Sequence, residues 1–244
     1  MNYKITIAYD GSRYDGWQKQ GNTDNTIQGK LEAVLSSICG ETIEINGAGR
    51  TDAGVHAEAQ CANFRTHSSL SPALIMEKAN GYLPEDIAII SAEEAPERFH
   101  ARLNAKAKTY RYSLRLGSTP DVFKRKYQLR VEESLDLAAM KKAAQALCGE
   151  HDYKAFCSLK KYKKSTVRNV YAIDFVSQGD NLDIYFRGDG FLYNMVRILT
   201  GTLIEVGMGK KSPSEMENIL SSLDRSKAGF TVPPKGLCLV EIEY

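Results

Sequence analysis

Apolar and polar residues alternate along the first stretch of the chain. In residues 3–9 every second side chain is aliphatic or aromatic, which is the period of a strand with one buried face. From Thr26 onwards the apolar positions change to helical spacing and continue up to Gly40. A threonine hydroxyl can cap the first turn of a helix, and a glycine often follows the last turn. The pattern therefore predicts a strand at 3–9 and a helix between Thr26 and Gly40.

The same two periods recur through the rest of the chain. Alternation predicts further strands near 42–48, 58–66, 86–94, 108–116, 169–177, 181–187 and 237–243. Helical spacing predicts helices after Ser71, over 134–148, from about 191 to 206 and after Pro213. Strands and helices are thus mixed along the whole length.

Strands and helices are mixed in both halves, and no Pro-rich or Ser-rich linker separates the halves, so we expect an α+β fold. The expected arrangement is two similar sheet-plus-helix halves whose mainly antiparallel strands are joined into one sheet. The N-terminal half is assigned to 1–104 and the C-terminal half to 105–244. A duplicated unit would produce such halves, although no sequence identity between them is visible.

The composition narrows the class of protein. With 43% hydrophobic and 25% charged residues, the chain is neither a disordered tail nor a fibrous protein. No apolar run approaches the roughly 20 residues needed to span a bilayer, and the chain starts in a strand pattern, so we expect a cytoplasmic protein. The five cysteines form no CxxC pair and do not cluster with histidine. Buried thiols and no metal site are therefore expected.

Two basic stretches carry the candidate charge for binding an anionic partner. The net charge of +2 says little by itself, but residues 124–130 and 159–168 interleave Lys and Arg with Tyr127 and Tyr162. Such a mixture can neutralise phosphates and offer rings for stacking. A solvated loop has the same composition, so the charge pattern leaves both interpretations open.

The segment GAGRTDAGVHA at 47–57 is the most informative for chemistry. It surrounds Arg50, Asp52 and His56 with glycines and alanines, between two predicted strands. Glycine allows close approach to the backbone, and loops between rigid strands often carry catalytic groups. A tight connection that uses an Asp in a turn has the same composition. Composition alone leaves these two readings open.

The sequence GRTDAGVHA within this segment resembles the signature of the tRNA pseudouridine synthase A family. Four further blocks are similar to the family in the same order, so the resemblance covers essentially the full chain. They are YDGSRYDGWQKQ at 9–20 with TIQ at 26–28, RFHAR at 98–102 with KTYRY at 108–112, FLYNMVRILTG at 191–201, and PPKGLCL at 233–239.

The resemblance implies roles for five residues, on either side of an active-site cleft between the halves. Asp52 takes the place of the family's nucleophilic aspartate, in the N-terminal half. Arg197, on a helix of the C-terminal half, matches the arginine that neutralises it, and Tyr110 matches the tyrosine beside the target base. Arg50 matches the arginine that helps hold the displaced nucleotide, and His56 is expected to line the same site.

The implied reaction needs little beyond a carboxylate. Isomerising uridine to pseudouridine breaks the bond from N1 to C1′ and rejoins the base through C5, without a redox change. An ionised Asp52 can attack C1′ or C6, so no cofactor is expected. A carboxylate that water does not reach stays ionised only beside a cation, and Arg197 suits this because it remains charged and can donate two hydrogen bonds.

The resemblance also implies a substrate and a partner. The family modifies uridines at positions 38, 39 and 40 in the anticodon stem-loop of tRNA, and it acts as a homodimer. A stacked uridine has to be flipped out to reach a carboxylate. Two alternatives are a catalytically inactive tRNA-binding module and an aspartate-nucleophile hydrolase of another class. The second would need a metal-binding acid cluster or a His partner, and the sequence shows neither.

Overall fold

The computed structural model describes residues 1–159 and 165–244. In chain order, the strands of the described part are β1 (Asn2–Tyr9), β2 (Ile45–Gly47), β3 (His56–Arg65), β4 (Ile87–Ala95), β5 (Ala107–Leu116), β6 (Leu129–Val131), β7 (Gly149–Asp152), β8 (Val167–Gln178), β9 (Asn181–Gly188) and β10 (Leu237–Glu243). Its α-helices are α1 (Ile27–Cys39), α2 (Pro72–Tyr82), α3 (Leu137–Ala146), α4 (Met195–Gly207) and α5 (Met216–Ser222). Part of the predicted basic stretch at 159–168, including Tyr162, lies outside the described residues.

The chain divides into two compact units. Unit 1 comprises Met1–Lys106 and Cys238–Tyr244, and unit 2 comprises Ala107–Leu237. In unit 1 the strand order is β4-β1-β3-β10, with β2 also pairing with β3. All of these pairs are antiparallel except β3 with β10. In unit 2 the order is β5-β9-β8-β7, all antiparallel, and β6 adds a parallel pair to β5. These mainly antiparallel sheets with their helices confirm the predicted α+β class.

The helix caps of unit 1 form where the sequence places them. The Thr26 side chain accepts a hydrogen bond from Gly29 N at 3.2 Å, and Gly40 ends α1 in the left-handed region with φ 71°. Ser71 caps α2 by accepting from Leu74 N at 3.3 Å, with proline in the first turn. These local signals fix the helix ends because each involves residues within one turn of one another.

Two strands of unit 2 and the starts of α3 and α4 differ from the sequence expectation. Helix α3 was expected over 134–148 but begins at Leu137, because Asp136 caps its first turn by accepting a hydrogen bond from Ala139 N at 2.9 Å. The short strands β6 and β7 were not predicted, because three or four residues are too few to show a period. Helix α4 begins at Met195, four residues after the predicted start near 191, because Asn194 precedes it with φ 61°, outside the helical region.

The last strand lies in a different unit from the one expected. The sequence assigned 105–244 to the C-terminal half, whereas β10 belongs to unit 1 from Cys238 onwards. The reason is its pairing: Cys238 lies opposite His56 in a parallel ladder with β3. A strand joins the sheet whose edge accepts its main-chain hydrogen bonds, whatever its place in the chain.

Candidate active site

The main chain of the loop between β2 and β3, residues 48–55, is held from several sides. Ala48 N donates to Cys61 O at 2.7 Å, and Gln60 Nε2 donates to Gly49 O at 3.0 Å. From the other side, Trp17 N donates to Thr51 O at 3.0 Å. On the other side of Asp52, Gly54 N donates to Tyr14 O at 3.3 Å. These bonds fix the main chain of the loop on both flanks of Asp52.

Aromatic side chains of unit 1 complete the support of this loop. Tyr9 Oη and Thr51 Oγ1 are hydrogen-bonded at 2.7 Å in the interior. Trp17 is fully buried and lies so close to Gly47 that a Cβ there would be 2.6 Å from the indole ring. By contrast, Asp52 is half-buried and Arg50 is exposed. The loop therefore combines a rigid interior side with two charged side chains that reach the surface.

The side chain of His56 is buried, whereas Asp52 is half-buried and Arg50 is exposed. The His56 side chain is 6% exposed, and Nδ1 accepts a hydrogen bond from Gly11 N at 3.1 Å. The same nitrogen lies 3.1 Å from Asp10 Oδ1. An unprotonated Nδ1 serves the first contact and a protonated Nδ1 serves the second, so Gly11 and Asp10 compete for this nitrogen. The geometry makes His56 a support for the loop, and its contact with substrate stays a prediction.

Tyr110 lies on β5 in unit 2 and is 8% exposed. Its ring meets Phe191 edge to face, with centroids 5.3 Å apart and an interplanar angle of 87°. Tyr112, two residues on, is fully buried, and its hydroxyl donates to Pro233 O at 2.7 Å. The two tyrosines share one face of the strand, but the hydroxyl of Tyr112 is committed to a structural hydrogen bond.

Arg197 is oriented in the first turn of α4, also in unit 2. Its Nε donates to Val232 O at 2.7 Å, and its Nη1 donates to Asn194 Oδ1 at 2.7 Å. Val232 O and Pro233 O are consecutive carbonyls, so one segment anchors both Arg197 and Tyr112. Sequence reasoning missed this segment as a support. The PPKG motif beside it was the available signal, since Gly236 packs against the Tyr112 ring.

The structure thus places the five predicted residues in two groups. Arg50, Asp52 and His56 lie together at the start of β3 and in the loop before it, in unit 1. Tyr110 and Arg197 lie in unit 2.

The basic stretch at 124–130 forms an exposed turn that leads into β6. Asp121 Oδ1 accepts from Phe123 N and Lys124 N, both at 3.1 Å, which orders the turn. Phe123 is 88% exposed and Tyr127 is 44% exposed. The cations and rings that the sequence places together are therefore at the surface.

The described residues contain neither a group of metal ligands nor a membrane-spanning helix. Within 1–159 and 165–244, no three His, Cys, Asp or Glu side chains form a group that could hold a metal ion. Over the same ranges, no helix has both the length and the apolar character needed to cross a membrane.

Comparison with known proteins identifies the class of enzyme. A family model described as tRNA pseudouridine synthase matches residues 5–104 and 143–244. A protein named tRNA pseudouridine synthase A, from Bacillus sp. (strain KSM-64), is 49% identical over 243 residues, covering 100% of this chain and 99% of the relative. Proteins named tRNA pseudouridine synthase A 2, from Bacillus cereus (strain ATCC 14579) and Clostridium perfringens (strain 13 / Type A), are 46% and 44% identical with the same coverage.

These matches define the protein as an isomerase. The chain belongs to the tRNA pseudouridine synthase family. It converts uridine to pseudouridine in tRNA. The resemblance seen in the sequence is thereby confirmed over both matched ranges.

Proposed function

We propose that this enzyme isomerises uridines at positions 38, 39 and 40 in the anticodon stem-loop of tRNA, in the cytoplasm and without a cofactor, with Asp52 as its nucleophile. The observation that carries the proposal is the geometry of the loop at 48–55. Its main chain is fixed on both flanks, while Asp52 is half-buried rather than sealed in the interior. A carboxylate on a fixed main chain can meet a flipped-out uridine with little reorganisation.

Four side chains are proposed to assist Asp52. Arg197 keeps the carboxylate ionised, which suits a guanidinium already oriented by Val232 O and Asn194 Oδ1. Tyr110 stacks on the uracil and takes part in moving the C5 proton. Arg50 holds the displaced nucleotide, which suits its exposure. His56 contributes by fixing the loop through Gly11.

The deciding experiment measures tritium release from tRNA labelled at uridine C5, because C5 loses its hydrogen when the base is rejoined there. Wild type is expected to release tritium without added metal or cofactor. Asp52→Asn keeps the side-chain shape but removes the nucleophile, so release should fall by at least about 1,000-fold with tRNA binding retained. Substantial release by Asp52→Asn would refute the nucleophile assignment. Binding without release by wild type would instead favour the inactive binding module.

The proposed partners are tRNA and a second copy of this chain. A homodimer would allow one subunit to hold the body of the tRNA while the other acts on the anticodon stem. The exposed cations at 124–130 support tRNA binding that weakens steeply as salt rises. Sedimentation at about micromolar concentration tests the dimer: a monomer with full activity would contradict it.

A further inference from the structure

A tight turn at residues 98–104 in unit 1 lies beside the loop that carries Asp52. Ala101 of this turn is fully buried and packs in one cluster with Ala48 and Cys61. Ala48 is the first residue of the loop at 48–55, and the exposed Arg50 follows it two residues later. The turn is therefore a direct neighbour of the chain segment that leads into Arg50 and Asp52.

The turn is ordered by its own side chains. His100 N donates to Asn104 Oδ1 at 2.7 Å, and Arg102 N donates to His100 Nδ1 at 3.1 Å. Leu103 N and Asn104 N both donate to His100 O, at 3.1 Å and 3.0 Å. His100 is thus used as a structural centre, while the side chains of Arg98, Arg102 and Leu103 are exposed.

Two buried amides fasten the turn to the sheet of unit 1. Asn63 Oδ1 accepts from Ala101 N at 2.9 Å, and Asn63 Nδ2 donates to Asn2 Oδ1 at 3.1 Å. Asn2 Nδ2 in turn donates to Phe99 O at 3.0 Å and to Pro96 O at 2.9 Å. Breaking such buried bonds leaves unsatisfied groups, so the turn is held rigidly to β1 and β3.

The rigid turn holds an apolar side chain in water on the same short segment as two cations. Leu103 is 77% exposed, and Arg98 and Arg102 are exposed as well. Leu103 stabilises the free protein little, because most of its surface packs against nothing. Guanidinium groups can bind phosphates, and an apolar side chain can enter a nucleic-acid stack. Two cations and an exposed apolar side chain on one fixed turn therefore suit a base-paired RNA stem.

Flipping a uridine out of a stem leaves a gap between the neighbouring bases, and the lost stacking costs a few kcal/mol. We propose that Leu103 is a wedge residue that enters this gap, while Arg98 and Arg102 bind the adjacent phosphates. The proposal rests on the proposed function, because it requires a paired uridine to reach Asp52. It adds a residue that acts on the stem and not on the flipped base.

The test uses two RNA stem-loops that differ only in the base opposite the target uridine. One carries adenine there, so the uridine is paired, and the other carries an abasic site. Leu103→Ala should slow single-turnover isomerisation about tenfold on the paired RNA and less than about twofold on the abasic one. Leu103→Met keeps an apolar side chain at this position, so it should retain most of the wild-type rate on the paired RNA. Ile90→Ala, which truncates another exposed aliphatic residue of unit 1 (51% exposed), should leave both rates unchanged.

A second measurement separates this proposal from the proposed function. A 2-aminopurine next to the target uridine reports flipping by its fluorescence, without any chemistry. If wild type produces pseudouridine and Leu103→Ala loses rate equally on both RNAs, the wedge is refuted and the function stands. If wild type flips the base through Leu103 but forms no pseudouridine, the function is refuted and the wedge stands. Equal fluorescence for wild type and Leu103→Ala on the paired RNA also refutes the wedge.

Discussion

Two glycines beside the loop at 48–55 leave no space for a side chain. A Cβ at Gly11 would lie 1.9 Å from Val55 O, and one at Gly47 would lie 2.6 Å from the Trp17 ring. In the first case the obstacle is main chain, which cannot move without shifting the loop itself. Glycine at position 11 is therefore required by close approach of two backbone segments.

Gly11→Ala should displace Val55 and with it the position of Asp52. We expect a loss of stability of about 1–3 kcal/mol, as for other overpacked sites, together with a large loss of activity. Gly21→Ala is the matched control, because a Cβ there meets nothing within 4 Å. Thermal unfolding and tritium release measure both effects. Normal activity in Gly11→Ala would show that the loop tolerates the shift.

His56→Ala tests whether His56 acts by supporting the loop or by contacting the substrate. The change leaves the buried Gly11 N without its acceptor, which costs about 1–3 kcal/mol. His56→Asn offers an oxygen near the former position of Nδ1, so it should recover much of the stability and of kcat. We expect kcat to fall more than KM rises in His56→Ala. A pure rise in KM that Asn does not reverse would instead indicate direct substrate binding.

Tyr110→Phe separates stacking from proton transfer. The substitution keeps the ring and its edge-to-face contact with Phe191, but it removes the hydroxyl. If the hydroxyl moves a proton, single-turnover rates should fall about 100-fold with RNA affinity unchanged. Tyr112→Phe is a useful comparison, because it loses only the bond to Pro233 O and should act on stability instead. Full activity of Tyr110→Phe would leave the tyrosine a stacking role alone.

At the scale of elements, helix α4 and the segment at 229–232 are packed backbone to backbone. A Cβ at Gly201 would lie 1.9 Å from Phe230 O. Thr202 Oγ1 also accepts from Gly229 N at 2.8 Å in the interior. Since Val232 O holds Arg197 Nε, this contact links the packing of the helix to the orientation of the guanidinium.

Gly201→Ala should therefore disturb Arg197 without touching it. The added methyl group pushes Phe230 away, which should lower stability by about 1–3 kcal/mol and reduce kcat. Gly81→Ala in α2 is the control, because nothing lies within 4 Å of its Cβ. Alanine favours helix over glycine, so this control should gain up to about 1 kcal/mol. Equal unfolding temperatures for the two variants would contradict the prediction.

At the scale of the whole molecule, buried phenols make the fold sensitive to alkali. Burial raises the pKa of Tyr112 well above its ordinary value of 10.0, with Arg197 opposing the shift. Burial likewise raises the pKa of Tyr153 and Tyr244. The folded state thus holds protons that the unfolded chain releases near pH 10.0. The raised tyrosine pKa values therefore stabilise the folded state. The stabilisation is complete below pH 10.0 and is lost as the pH rises through the pKa values of the folded state.

We accordingly expect the unfolding temperature to fall above about pH 10, with the buried tyrosines ionising only as the protein unfolds. Ultraviolet absorbance of tyrosinate, followed together with circular dichroism, measures this directly. Complete ionisation of all tyrosines near pH 10 with the fold intact would overturn the prediction.

Much of the local structure was determined by the sequence itself. The strand and helix periods predicted β1, α1, β5, β8 and β9, and Thr26 and Ser71 marked helix starts. Caps and periods depend on residues that are close together in the chain. The GRTDAGVHA segment pointed to the family, and the comparisons confirmed it.

Tertiary structure decided the supports of the candidate site and the pairing of β10. His56 is bound by Gly11 N, Arg197 by Val232 O, and β10 by β3. Each of these contacts uses main-chain groups, and every residue but proline carries the same donor and acceptor. Side-chain patterns therefore do not encode which distant N–H or C=O will be met. The sequence determined which residues could do chemistry, and long-range backbone contacts decided what holds them in place.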